Sequence, residues 1–152
     1  MDIRYLTIQE VIAINTAVIQ KYSPTEQMGI KSQSLLESAV YRPQQSVFGE
    51  DAYSTIFAKV AALFESIGQN HPFHNANKRT AFTSMATFLK YNNHHLKMEP
   101  KQAEDFTVAM VEHKYSFEEL TEIIKNHCRD FRKALEHGME KYAETLKGLK
   151  DR

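Results

Sequence analysis

The sequence predicts an all-α fold, a single-domain helical bundle of about six helices with an extended C-terminal helix. Three observations predict it. Five glycines and four prolines across 152 residues are too little turn material for many short strands. Apolar residues recur at helical spacing along most of the chain. Thr7-Ile8-Gln9-Glu10 and Ser116-Phe117-Glu118-Glu119 both have the spacing of a capping box, a signal that opens helices.

The elements follow in order. After Thr7, the residues Ile8, Val11, Ile12, Val18 and Ile19 share one helical face. Asn15 interrupts that face and, if buried, needs a hydrogen-bond partner. Tyr22-Ser23-Pro24 ends the helix, and a polar stretch runs through Gly29. Leu35, Leu36, Ala39 and Val40 mark a short second helix, stopped before Pro43. Residues 43–51 read as a loop. Ile56, Val60, Leu63, Phe64 and Ile67 form the stripe of a third helix, closed by Gly68. A polar loop from Gln69 to about Asn75 leads to a fourth helix with Phe82, Met85, Phe88 and Leu89, ending at Asn92-Asn93. Pro100 suits the first turn of a fifth helix, with Phe106 and Met110 facing inward. The second capping box opens a helix with Phe117, Leu120, Ile124 and Cys128 on one side. The same phase continues through Phe131, Leu135, Tyr142, Leu146 and Leu149, so this helix is either long or broken near Gly138. No internal repeat, low-complexity run or linker interrupts the chain.

Composition narrows the function. Apolar residues are 42% and charged residues 25%, as in a soluble globular chain. Nineteen basic residues balance nineteen acidic ones, so the formal net charge is zero. A general nucleic-acid or membrane-surface binder needs an excess of positive charge. Cys128, the single cysteine, cannot form an internal disulfide, and no cysteine cluster exists to hold zinc. No run of about eighteen apolar residues points to a membrane span. Met1-Asp2-Ile3-Arg4 does not open like a signal peptide. The expectation is a cytoplasmic protein.

The least ordinary stretch is Gln69 to Phe82, Q-N-H-P-F-H-N-A-N-K-R-T-A-F. It places two His, two Asn, one Lys and one Arg within nine residues, between two apolar helices. An imidazole at His71, in the loop, can accept a proton. Asn75, Ala76 and Asn77 lie at the start of the next helix, where free backbone N–H groups and the helix dipole make an anion site. Lys78 and Arg79 add two positive charges in the first turn; Arg grips two phosphate oxygens at once and Lys supplies a point charge. Asn75 offers an oxygen to a metal carried by phosphates. The whole reads as a base beside a polyphosphate cradle, suited to moving part of a nucleotide to a hydroxyl. Asn is also a common N-cap, and a Lys-Arg pair can be merely solvated. Basic residues at a helix N-terminus are, however, unfavourable without an anion.

This segment resembles the signature of the Fic/Doc family, whose Fic form reads H-P-F-x-[DE]-G-N-G-R and whose Doc form reads H-x-F-x-[DN]-[AG]-N-K-R. His71, Phe73, Asn75, Ala76, Asn77, Lys78 and Arg79 stand in the matching places. Ser34 to Gln44 is similar to the segment before the flap loop of Doc-like proteins, and Thr7 to Ala13 to their opening helix. The similarity spans about residues 3–128. It implies a Fic/Doc-like part over 1–128 and a helical extension over 129–152, packed on or continuing the same domain.

The resemblance assigns roles. His71 would be the general base that deprotonates a target hydroxyl, and Phe73 a core residue that orients the loop. Asn77 and the neighbouring amides would hold phosphate oxygens, and Arg79 would neutralise charge on the transferred or leaving phosphates. Asn75 stands where an acidic residue usually helps hold magnesium; it keeps an oxygen and loses the charge. Lys78 replaces the Gly of the Fic form, and in the family Lys accompanies phosphate transfer from ATP, Gly transfer of AMP. The implied activity is therefore a protein kinase with ATP as substrate and magnesium as cofactor. Transfer of AMP, or a catalytically silent nucleotide-binding module, are the alternatives. Neither G-x-x-x-x-G-K-[ST] nor G-x-G-x-x-G occurs, so no P-loop enzyme or ordinary protein kinase is supported.

Gln44 to Asp51 corresponds to the flap that registers the target segment. Val47 and Phe48 would pack against that segment and Gly49 would permit a turn, unless Phe48 is simply buried. The inhibitory pattern [ST]-x-x-x-E-[GN] of many Fic proteins is absent from the sequence. The resemblance thus implies control in trans by an antitoxin, and a translation protein, elongation factor Tu, as target. His71 and His74 make a poor zinc pair; His74 is expected to be exposed. His94-His95 reads as a helix end, and Cys128 as a core residue. The C-terminal stripe could pack on its own domain, pair two copies as a homodimer, or cover the antitoxin groove.

Overall fold

The structure, a computed structural model, describes residues 2–150 and 152. Both capping boxes form. Thr7 Oγ1 accepts from the Glu10 N–H at 3.1 Å and Glu10 Oε1 accepts from the Thr7 N–H at 2.9 Å, which opens α1 (Ile8–Tyr22). Ser116 and Glu119 make the same reciprocal pair at 3.1 and 3.0 Å, opening α6 (Phe117–Asn126). Ser32 caps α2 (Gln33–Tyr41) and Thr55 caps α3 (Ile56–Asn70), each through its hydroxyl. α4 (Asn77–Tyr91) and α5 (Pro100–Val111) complete the bundle, α5 with Pro100 in its first turn.

α3 is the axis of the core. Val60, Ala61, Ala62, Leu63, Phe64 and Ile67 are all buried, and α2, α4, α5 and α6 pack around it. α1 lies on α4, burying Val11, Val18 and Ile19. Each fully buried Leu, Ile or Phe contributes about 1.5–3 kcal/mol, and Phe73 of the polar motif after α3 is one of them.

Several expectations fail, each for a local reason. Gly68 does not close the third helix, which runs to Asn70 and turns at His71. A Cβ at position 68 would run into the Met110 side chain, so this glycine serves the close approach of α5. The fold is mainly α, but four short strands appear. A 3-10 turn, Arg42–Gln44, leads into β1 (Ser46–Val47), which pairs with β2 (Glu50–Asp51). β3 (His94–Leu96) pairs antiparallel with β4 (Cys128–Asp130). His94 and His95 therefore belong to a strand and cap no helix.

The pairing of β4 with β3 also breaks the expected continuous C-terminal helix. α6 stops at Asn126, and α7 (Phe131–Lys141) and α8 (Ala143–Gly148) follow β4. The second break falls at Tyr142, not Gly138. Cys128 sits on β4, partly buried against the core's edge, where burial pushes its thiol up to about 12. Neither α7 nor α8 buries a residue; Phe131, Leu135, Tyr142, Leu146 and Leu149 are all about half exposed. A helical phase carried through a non-helical segment says nothing about which surface the stripe meets.

Candidate active site

The motif forms the junction between α3 and α4. His71 is the C-cap of α3 in the left-handed region, φ 51°, ψ 59°, with its side chain exposed. Ala76, the N-cap of α4, is left-handed as well, at φ 62°, ψ 30°. A Cβ in that conformation costs about 1–2 kcal/mol, so the surroundings must impose it. They do so with a closed set of hydrogen bonds. Phe73 is buried. Its N–H donates to Asn77 Oδ1 at 3.0 Å, and Asn77 Nδ2 donates back to the Phe73 carbonyl at 2.9 Å. The Pro72 carbonyl accepts from the N–H groups of Lys31 (2.8 Å) and Ser32 (3.0 Å), and the His74 N–H donates to Gly29 at 3.1 Å. Residues 29–32 thus clamp the outer side of the junction.

The inner side is held by Asn15. This buried α1 residue donates through Nδ2 to the Asn75 carbonyl and to Thr80 Oγ1, both at 3.0 Å. The polar interruption in the first apolar face is therefore the contact that joins α1 to the motif. Asn75 Nδ2 in turn donates to the Gln27 carbonyl at 3.0 Å.

The first hydrogen bond of α4 runs from the Thr80 N–H to the Ala76 carbonyl, 2.9 Å. The N–H groups of Asn77, Lys78 and Arg79 therefore have no acceptor within the helix and lie at its positive end. Lys78 is exposed and Arg79 partly so. Arg79 Nη2 lies 3.2 Å from Glu26 Oε2, which also accepts from Ser23 Oγ at 2.9 Å. Nothing in the polar stretch 23–29 distinguishes Glu26 as a site residue; only the fold brings it to Arg79. Beside this cluster runs a groove of about 640 Å³ between α1, α4 and α5, lined by Val18, Tyr22, Phe82, Met98 and Val108 with Lys78 and Arg79 at its edge. His71 is outside its lining.

The donor set of Asn75 bears on magnesium. Its amide is neutral and anchored through Nδ2, and among the described residues no group of three His, Cys, Asp or Glu side chains could hold a metal. These residues fit a magnesium ion carried by phosphates, with Asn75 Oδ1 as one neutral ligand, and not a metal centre built by protein alone. His74 is exposed, as expected.

The segment expected to be the flap is a hairpin with a two-residue turn. Phe48 (φ 52°) and Gly49 (φ 80°) both take positive φ, which suits the right-handed twist of paired strands. Phe48 is fully exposed at 102% and Val47 at 55%, so Phe48 is not a core residue. β1 and β2 pair only with each other, leaving an outer strand edge free among the described residues. The sequence segment and the hairpin coincide, whereas Lys59, buried beneath it, carries no sequence signal beyond a position three residues after Ile56 on the core face.

Comparisons with known proteins agree with this geometry. Residues 5–89 match the model of the Fic/DOC family, a span that takes in α1, the β1–β2 hairpin and the whole His71–Arg79 motif. The chain is 42% identical over 66 residues to a protein named Toxin Doc from Mycolicibacterium smegmatis, an alignment covering 43% of this chain and 51% of that protein. The chain thus spans about half the length of that relative. It is 30% identical over 105 residues to Protein kinase doc of Escherichia phage P1, covering 69% of this chain and 80% of the phage protein. No helix of the described residues is long and apolar enough to cross a membrane. With the motif, the junction that displays it and these matches all in agreement, the chain belongs to the Fic/DOC family.

Proposed function

We propose that this protein is a Doc-type toxin that transfers the terminal phosphate of ATP to a hydroxyl of a target protein. The observation that carries the reading is the α3–α4 junction. It places an exposed imidazole, His71, at one side of a helix N-terminus bearing three free N–H groups and the cations Lys78 and Arg79. In this reading the N–H groups of residues 77–79 and the Arg79 guanidinium hold phosphate oxygens. Asn77 acts through the loop: its amide is committed to Phe73, so it shapes the cradle in which the backbone binds phosphate. The target hydroxyl loses its proton to His71 as its oxygen attacks the terminal phosphorus. The new O–P bond forms, the bridging P–O bond to the second phosphate breaks, and ADP leaves with the electron pair. Lys78 neutralises charge on the phosphates. Asn75 Oδ1 would help hold a magnesium ion brought by the nucleotide, which would supply further charge neutralisation.

The flap hairpin supports a protein target, because its free edge can pair with an extended segment while Val47 and Phe48 meet an apolar side chain. Elongation factor Tu is the target we infer from the Doc resemblance. We assign control to an antitoxin acting in trans, in keeping with the name Toxin Doc of the Mycolicibacterium relative. The apolar groove beside Arg79 offers such a partner a seat. Residues 129–152 are proposed as an extension outside the catalytic part, in a cytoplasmic protein.

Intact-protein mass spectrometry of elongation factor Tu, incubated with this protein, ATP and magnesium, tests the reading. The expected result is a gain of one phosphate that disappears with His71→Ala. A gain of AMP would keep the site and overturn the reaction. Nucleotide binding without transfer to any protein of a whole lysate would leave a silent module.

A further inference from the structure

Lys59 is the least expected residue of the core. It lies in the first turn of α3, a helix whose Val60, Leu63 and Phe64 are buried, and its side chain is 1% exposed. Burying an ammonium is costly unless it is paired, and a methionine would fill the same volume without that cost. The partners of Lys59 explain its presence. Nζ donates to the Pro43 carbonyl and to Asp51 Oδ2, both at 3.3 Å, with the Tyr5 ring centroid 5.5 Å away. Pro43 leads into β1 and Asp51 ends β2, so both bonds go to the two roots of the flap hairpin.

Among the described residues no apolar contact anchors the hairpin. Every residue from 44 to 52 is exposed, so no apolar side chain of the flap reaches the core. Its own bonds close it on itself: the Ala52 N–H donates to Gln45 at 2.8 Å, and the Gln45 N–H to Arg42 at 3.1 Å. Arg42, in the 3-10 turn before the hairpin, ties that turn to α3. Its guanidinium reaches Tyr53 Oη, Glu65 Oε1 and Ser66 Oγ at 2.8, 2.9 and 2.8 Å. Burial works to lower the pKa of Arg42, but the bonds to Tyr53 and Glu65 outweigh it and hold the pKa above its usual value. Two cations, Lys59 on α3 and Arg42 bonded to it, therefore do what an apolar contact does for an ordinary hairpin.

We propose that Lys59 is a positioning residue, a buried clamp that fixes the flap in the orientation in which it takes the target segment. This rests on the reading of residues 44–51 as the target flap. The clamp acts on target engagement and not on the nucleotide or the proton transfer.

Two variants of the full chain test it. Lys59→Met removes both bonds at nearly constant volume, and Asp51→Asn weakens one from the exposed side without touching the core. Amide hydrogen exchange at Gln45 and Ala52 should rise about tenfold in Lys59→Met and less in Asp51→Asn, with the amides of α3 unchanged. The KM for the target should rise about tenfold in Lys59→Met, with kcat and ATP affinity unaltered. Wild-type exchange at Gln45 and Ala52 in both variants overturns the clamp. So does an equal fall of kcat, ATP affinity and target affinity, which marks a general packing role. If Lys59→Met does not fold, Asp51→Asn decides by exchange alone. If the wild-type protein modifies no target, the functional reading fails while the exchange measurement still judges the clamp.

Discussion

Arg79 and Glu26 form an ion pair at 3.2 Å across the mouth of the motif, with Ser23 Oγ on the same carboxylate oxygen. The two side chains are 38% and 40% exposed, so solvent screens the pair and it holds Arg79 only weakly. A phosphate that takes both terminal nitrogens of Arg79 must displace Glu26 from Nη2. Glu26→Ala should therefore tighten ATP binding by a factor of about 2–5. Isothermal titration of the two proteins measures it, and an unchanged Kd would mean that the bound phosphates do not draw on Arg79.

Asn77 is the counterpart on the structural side. Its amide satisfies both the N–H and the carbonyl of buried Phe73. Asn77→Ala leaves two buried polar groups without partners and should cost about 2–4 kcal/mol, read from urea unfolding. A loss below half of that would show that the junction relaxes to find other partners.

Lys78 is where the choice of reaction is expected to lie. Lys78→Gly removes the charge at the edge of the anion site and should weaken phosphate transfer while allowing transfer of AMP. The mass added to the target distinguishes the two products. An unchanged product would remove Lys78 as the determinant.

Three carboxylates at helix starts tie stability to pH. Glu10 is held below the usual carboxylate range chiefly by its bond from Arg4, Glu119 by the Ser116 N–H, and Asp130 by the Lys133 N–H. Lowered folded-state values mean that their contribution is complete above the ordinary carboxylate range and lost as pH falls through it to those lower values. The melting temperature should stay level from neutrality to about pH 5 and decline below. Glu119→Gln should lower it at pH 7, with a deficit that shrinks as pH falls through and below the ordinary carboxylate range; a deficit independent of pH would mean that the charge of Glu119 plays no part.

Much of this molecule is legible in its sequence because the signals are local. The capping boxes at Thr7 and Ser116, the spacing of Ile56 to Ile67 and the run from His71 to Arg79 each depend on residues within a few positions of one another. Helix starts, buried faces and a recognisable motif follow from them. Contacts between distant segments are a different matter. Asn15 is legible as a residue in need of a partner, but Asn75 and Thr80, 60 and 65 residues away, are supplied by the packing of α1 on α4. Glu26 meets Arg79 only because residues 29–32 bridge to the motif. The break after α6 exists because Cys128–Asp130 finds a strand partner in His94–Leu96, which no periodicity within either segment records. Lys59 finds its partners, Pro43 and Asp51, only through the fold. Local chemistry determined the helices and the motif; tertiary structure decided which polar groups answer one another, since a hydrogen bond has no period in the sequence and needs only two groups brought within reach.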